Sequence, residues 1–375
     1  MLKETQFTTK GLLVWGVCVL FFLYEFFLRA SLGTFQHPLM HDLHLSSIEY
    51  ALLSTTLFSV VYGIMQIPVG LLIEHFGLKK VLLVGAVICA SSAFGFAYVT
   101  TYSVALVTRM LMGLGASVGF LSVLMAVCEW IPHRHNAFFI GLSLFIGTIG
   151  PMLGAGPLED LMSVFGIPWQ TIFKALGGIG LLLVILIVLF VENRQERAEK
   201  YVVLKRSQNI KDTLLKLFSR SQVWYIAFFS GAIYFSVEYL AENEGRIFLG
   251  LKGFSVNTAS YMITLAWIGY ALGCPLLGFL SDYFQRRKII LMASGLCSVI
   301  AITSNDVALM ASFFLLGLSA SGQSVGFSIM AEQFKQEFVS VGLALNNTMI
   351  TVFIAINAPS IAFILDKAEH QLGFG

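Results

Sequence analysis

An all-α membrane protein, built as two six-helix bundles related by an internal repeat, is the fold class this sequence predicts. Three observations predict it: an apolar composition poor in charge, eleven apolar stretches of bilayer-crossing length, and a motif that recurs at a fixed offset.

Hydrophobic residues fill 57% of the 375 positions and charged residues 12%. A soluble domain carries about twice that charged share, because its surface faces water. Most of this surface must face lipid instead. The 33 Phe and 34 Gly against 8 Pro suit helices packed closely in a bilayer. A net charge of +2 carries no nucleic-acid footprint. The expected partners are the lipid bilayer and a small-molecule solute, with no nucleic acid, and the chain is expected to act as a monomer. Cys18, Cys89, Cys128, Cys274 and Cys297 all lie in apolar stretches without CxxC or Cys/His spacing, so no disulfide, zinc or thiol chemistry is expected. There is no P-loop, nucleophile elbow or zinc signature, which argues against an ATP-driven pump and against an enzyme.

A membrane helix needs about 20 mostly apolar residues. Such stretches run near 11–36, 47–73, 79–100, 103–131, 135–160, 169–192, 222–248, 257–281, 288–304, 307–331 and 339–365. The first is too long for a cleavable signal and reads as a membrane helix. Between the sixth and seventh lies a polar, basic segment. It divides the chain into a first bundle (1–192), a central loop (193–221) and a second bundle (222–375). Within that loop the piece DTLLKLF has the pattern of a short amphipathic surface helix. With the N-terminus inside, inner segments hold seventeen of the 23 Lys and Arg and outer segments two, Lys252 and Lys367. That imbalance places the N-terminus in the cytoplasm, in a bacterial inner membrane.

YGIMQIPVGLLIEHFGLKK (Tyr62 to Lys80) returns 208 residues later as YALGCPLLGFLSDYFQRRK (Tyr270 to Lys288). Tyr62 pairs with Tyr270, Gly70 with Gly278, Glu74 with Asp282, and Lys79 and Lys80 with Arg287 and Lys288. Each copy ends a helix on the inner side with an acid and then a basic turn. The pattern G-x-x-x-[DE]-x-F-G-x-K-K resembles the loop signature of the major facilitator superfamily. RMLMGLGAS, from Arg109, resembles that family's fourth-helix signature, and GTIGPMLGAGP, from Gly147, its fifth-helix pattern. Glu74, His75, Leu78 and Gln285 depart from the usual residues of the loop. The resemblance implies a secondary active transporter working by alternating access, with the first, fourth, seventh and tenth helices lining a central cavity.

A helix end attracts opposite charge. Gly70, Glu74, Gly77, Lys79 and Lys80 in the first copy, with Gly278, Asp282, Arg286 and Arg287 in the second, are therefore expected to form conformational latches. Glu74 or Asp282 would bind backbone N–H groups or a cation on a neighbouring helix. The basic residues would meet acids or lipid phosphates, or serve only as inside anchors.

Charges inside a bilayer are costly and point to function. Glu25 and Arg29 stand one turn apart in the first helix, on one face and close enough to pair. Tyr24 precedes them. The seventh helix repeats the idea with Tyr234, Glu238, Glu242 and Arg246. These residues, with Arg109 and Gln323, form the expected proton and substrate site. Glu25 is the expected proton carrier and Arg29 its orienter or an anion anchor. The alternatives are a static ion pair at Glu25–Arg29, a frayed outer end at Glu238–Arg246, and a structural role for Arg109. Gln66, Tyr62, Trp267, Tyr270, Asn346 and Asn347 are weaker candidates, since polar residues often tie membrane helices together. His37, His41 and His44 are read as loop residues and not as a metal site.

The expected function is proton-coupled import of a small polar, anionic solute, with the proton gradient as energy source and no cofactor. Proton-driven efflux of amphipathic compounds and a non-transporting receptor or scaffold are the alternatives. The 208-residue register places the copy of the sixth helix near 377–400, past Gly375. The second half is thus expected to be one helix short of twelve.

Overall fold

The computed structural model describes residues 7–32, 34–46, 49–50, 52–154, 158, 161, 165–193, 219–238, 249, 252–254, 256–303, 309–334, 339 and 341–353. Among them every regular element is helical. Among the described residues, eight helices or continuous helix pairs are long and apolar enough to cross a membrane. Most of the central loop, including its DTLLKLF piece, lies outside the described residues.

The first half begins with α1 (Thr9–Ser31), where the Thr8 hydroxyl accepts the Gly11 N–H at 3.0 Å and caps the free helix start. A short outer helix, α2 (Gln36–Asp42), follows. A π-helical turn at Leu52–Thr56 then leads into α3 (Leu57–Phe76). Gly77, with φ of +83°, makes the turn into α4 (Leu78–Phe96), a conformation that other residues adopt only with strain. The fourth stretch is two helices, α5 (Tyr102–Ala116) and α6 (Gly119–Trp130). α7 (Asn136–Gly154) and α8 (Trp169–Phe190) complete this half.

The second half runs α9 (Ser221–Glu238), α10 (Val256–Phe284), α11 (Arg287–Thr303), α12 (Leu309–Ala320), α13 (Gln323–Glu332) and α14 (Val341–Phe353). Within the described residues each of the eleven predicted stretches thus falls on helix in the order expected, the fourth and tenth each divided in two.

That division follows a second repeat, at an offset of 204: GLGAS at Gly113–Ser117 and GLSAS at Gly317–Ser321. In both copies the backbone tightens to three-residue hydrogen bonding just after the serine. Val118 N–H reaches Gly115 O and Gly322 N–H reaches Ser319 O. In both, the serine hydroxyl donates back to the carbonyl three residues earlier at 2.6 Å (Leu114 and Leu318). Such back-bonding competes with the helix ladder, and a mid-helix tightened turn often marks a hinge.

Packing orders the rest. α1 lies against α6, α7 and α8, and α8 covers α4. Trp15 Nε1 donates to Ser143 Oγ at 2.8 Å, tying α1 to α7. The two halves meet along α7 and α10, and α3 reaches α14. The apolar residues left exposed, such as Ile64, Val84, Leu189 and Met292, face outward as a lipid-facing surface requires.

Candidate functional site: the mid-membrane carboxyl and the inner latch

Glu25 is 2% exposed on α1. Its side chain lies against the first residue of α6, where a methyl group on Gly119 would stand 2.7 Å from Cγ and 3.1 Å from Oε1. Glycine there makes the room that the carboxyl occupies. The first turn of a helix also favours negative charge, so the tightened turn before α6 offers the carboxyl a polar end inside the bundle. No described residue donates a hydrogen bond to it.

Arg29 takes a different course from the expected pairing. Its guanidinium lies over the Phe26 ring, 5.1 Å from the centroid, and does not reach ion-pair distance of Glu25. Cation–π contact gives the guanidinium an alternative partner on the same helix. Tyr24, one residue and about 100° around the helix from Glu25, turns toward α8. A methyl on Gly180 would lie 2.6 Å from its hydroxyl. It therefore faces the bundle packing rather than the carboxyl.

Arg109 is fully buried and donates to three backbone carbonyls: Leu28 at 3.0 Å, Arg29 at 3.0 Å and Ser54 at 2.8 Å. Its guanidinium stacks 4.3 Å from the Phe58 centroid. Two of those carbonyls end α1, so Arg109 neutralises a helix C-terminus and ties it to the π-helical turn. In this conformation both terminal nitrogens of its guanidinium are engaged by backbone carbonyls.

In the second half Tyr234 packs edge-on to Tyr270 at 5.6 Å, and the Tyr270 hydroxyl donates to Gln323 Oε1 at 2.7 Å. Three expected or weaker candidates thus converge. Glu238 ends α9, but its side chain, with Glu242 and Arg246, lies outside the described residues. Aromatic contacts cross between the halves at Phe26 with Trp267, 6.3 Å, and at Phe120 with Phe327, 4.9 Å, and Phe22 packs on Phe120 within the first half at 5.0 Å. Asn347 crosses between halves as well, donating to Gln66 Oε1 at 2.8 Å and to the Tyr62 hydroxyl at 3.3 Å.

The loop copies behave unlike one another. Asp282 Oδ2 accepts the Phe138 N–H at 2.9 Å, in the first turn of α7 and across the interface between halves. Its Oδ1 meets Arg287 at 3.3 Å, and Arg287 continues to Glu332 at 2.7 Å. Gly278 lets the α7 backbone at Ala137 approach. Gln285, standing where the family has glycine, does adopt a positive φ of 54°, and its amide reaches back to Asp282 O. That local bond offsets the strain that a side chain meets there. Arg286 is exposed.

In the first copy Lys79 turns to its own half. Its ammonium donates to Val188 O at 2.8 Å, near the end of α8, and its N–H donates to Asn193 Oδ1 at 3.0 Å. A cation on a helix C-terminus is favourable there, and among the described residues Lys79 pairs with no acid and with nothing in the other half. Gly70 is buried in α3, Glu74 is half-buried in its last turn, and Lys80 is exposed. Lys10 and Glu192 form an ion pair that ties the start of α1 to the end of α8.

Sequence reasoning missed Gly119 and Ser117. The GLGAS/GLSAS repeat, which lies outside the loop register, is the signal that finds Ser117.

Among similar proteins, the hexuronate transporter of Bacillus subtilis is 24% identical over 78% of this chain and 74% of its own length. The multidrug resistance protein MdtL of Shewanella oneidensis is 23% identical over 72% of this chain and 68% of its own. The solved structure of the Escherichia coli fucose:proton symporter FucP superposes with a TM-score of 0.72 at 18% identity, covering 94% of this chain and 91% of that one. At that identity the likeness concerns the fold. The family profile itself matches residues 17–243 and 247–374. With the helix order, the paired halves and the duplicated loop in agreement, this multi-span membrane protein belongs to the Major Facilitator Superfamily, whose members are transporters of small molecules and not enzymes.

Proposed function

We propose that this chain imports a small anionic solute of the sugar-acid class across the bacterial inner membrane, with its N-terminus cytoplasmic and a proton as coupling ion. Glu25 carries the reading: a mid-membrane carboxyl, 2% exposed, with no hydrogen bond from a described residue. The charge of a carboxyl enclosed in a bundle depends on access to water and on nearby cations. A conformational cycle that alternately opens and seals it therefore moves a proton. Arg29 is the cation next along that helix and the anchor for an anion. The name of the hexuronate relative supports the solute class. The solute crosses as the halves rock about α7–α10 and α3–α14, and Asp282 closes the inner side.

Proteoliposome uptake of radiolabelled D-glucuronate under an imposed pH gradient tests this. The wild type is expected to accumulate the solute, and Glu25→Gln to exchange it without accumulation. Accumulation by Glu25→Gln with wild-type pH dependence would sink the proposal.

Efflux of amphipathic compounds is a second reading. It is favoured by the aromatic contacts of Phe22, Phe26, Phe120, Phe327 and Trp267 at the meeting of the halves. Drug hypersensitivity of a deletion strain, without loss of sugar-acid uptake, would establish it.

A further inference from the structure

Gln66 is wholly buried on α3, and its amide makes bonds in three directions. Nε2 donates to Tyr62 O at 3.2 Å on its own helix and to Ser117 O at 3.2 Å, in the tightened turn between α5 and α6. Oε1 accepts from Asn347 Nδ2 at 2.8 Å, on α14 of the other half. The Asn347 amide also reaches the Tyr62 hydroxyl at 3.3 Å. One side chain thus holds the turn that begins the Glu25 site and a contact between the halves. The second half has a counterpart. Ser324, just past the matching turn, donates to Cys274 O at 3.4 Å on α10. Gly141 of the first half abuts that same Cys274 carbonyl group. In both halves the tightened turn is bonded to the helix that meets the opposite half.

We propose that Gln66 and Asn347 are positioning residues that transmit the state of the α5–α6 turn, and so of Glu25, to the α3–α14 contact. The inference rests on Glu25 being the proton carrier. When the carboxyl beside Gly119 changes charge, the favourable interaction with the start of α6 changes. The turn then shifts at Ser117, and Gln66 moves with it. Because Gln66 cannot follow Ser117 and hold Asn347 at once, the contact between halves responds. The groups around Glu25 are few. Arg29 lies on its own helix and Cys89 on α4. Arg109 on α5 is held by the Leu28 and Arg29 carbonyls. α6 presents Gly119, and α7 presents Gly147 and Gly150 to α1. Arg29 is therefore the nearby cation that Glu25 meets, while Cys89 stays a neutral thiol.

The test uses the whole chain without solute. Spin labels at Tyr98→Cys and Lys252→Cys, both exposed, in a Cys297→Ser background, report the distance between halves from about pH 5 to about pH 9. The wild type is expected to shift with pH, and Glu25→Gln to lose the shift. Gln66→Met keeps the volume and removes the bonds, so its shift is expected to shrink at least about fivefold. Asn347→Leu should behave alike and decides the matter where Gln66→Met fails to fold. The exchanged pair, Gln66→Asn with Asn347→Gln, is expected to restore the response. Full shifts in Gln66→Met or Asn347→Leu, with Glu25→Gln still flat, overturn this inference alone. A flat wild type or a responsive Glu25→Gln removes the Glu25 reading and the inference with it.

Discussion

Asp282→Ala should open the inner side of the protein. Asp282 has a side chain 7% exposed and makes two kinds of contact. Its bond to Arg287 lies within the second half and need not break when the halves move, so it contributes to the difference between states only by positioning the carboxylate. Its 2.9 Å bond from the Phe138 N–H crosses the halves and must break when the inner ends part. A hydrogen bond to a charged group contributes about 1.5–3 kcal/mol. Water regained by the carboxylate on opening brings the difference toward the lower end of that range. The closed-to-open ratio should therefore fall about tenfold to thirtyfold. Asp282→Asn retains an acceptor but not the charge and should lie between the two, since charge-assisted bonds are about twice as strong as neutral ones. Single-molecule energy transfer between dyes at Lys80→Cys and Arg286→Cys, both exposed and at the matching loops of the two halves, reads the populations directly. An unchanged distribution in Asp282→Ala, at a wild-type thermal midpoint, would refute the reasoning.

Three further outcomes follow from the same contacts. Arg109→Met leaves the carbonyls of Leu28, Arg29 and Ser54 without their donor. It is expected to cost more than about 3 kcal/mol, visible as a collapse of the thermal midpoint, and a wild-type midpoint would contradict the clamp. Gly119→Ala places a methyl 2.7 Å from Glu25 Cγ. It should destabilise by about 1–3 kcal/mol through overpacking and displace the carboxyl, and unaltered stability in a denaturation series would argue against that contact. Asp42 on α2 accepts from Trp169 Nε1 at 2.9 Å and from Gln170 at 3.4 Å, and it pairs with His41. The Trp169 bond, then the His41 bond, holds its carboxyl below the usual carboxylate value. A lowered folded-state value stabilises above the ordinary carboxylate range, and the gain is lost as pH falls through the folded value. Asp42→Asn should therefore cost no more than about 1 kcal/mol at neutral pH, with the cost vanishing in acid. A difference that grows on acidification would reverse the sign.

The fold was legible because its signals are long-range averages. Eleven apolar runs and a 208-residue register survive any local error, and the helices follow them. The acid at the end of α10 was legible too, since a helix end and a carboxylate attract whatever the detailed packing. Arg29 and Lys79 were not. Spacing on a helix predicts which side chains share a face, but it does not choose among partners on that face. Phe26 competes for the Arg29 guanidinium, and the end of α8 competes for Lys79. Tyr24 failed in a different way. Adjacent residues point about 100° apart, so a neighbour of Glu25 in sequence is bound to face another helix. Gly119 was hidden because an absent side chain carries no chemistry of its own, and its meaning appears only once Glu25 is seen beside it.

The two loop copies differ in a way that bears on the transport cycle. In the first half the loop lysine binds the end of α8 and the loop backbone binds Asn193, all within the sixth-helix corner of one bundle. Those bonds need not break when the halves move. In the second half Asp282 reaches α7 in the opposite bundle, while Arg287 braces it against Glu332. Rigid support of a side chain is what makes its interaction with a moving partner selective for one state. On the proposed function Arg287 then strengthens the latch without taking part in the motion: it holds the Asp282 carboxylate toward the Phe138 N–H across the halves. Removing Glu332 should consequently weaken closure even though its ion pair, to Arg287, lies within the second half, and the Lys80–Arg286 dye pair would register it. A Glu332→Gln protein with a wild-type distribution, beside an Asp282→Ala protein that opens, would show that Asp282 needs no such brace.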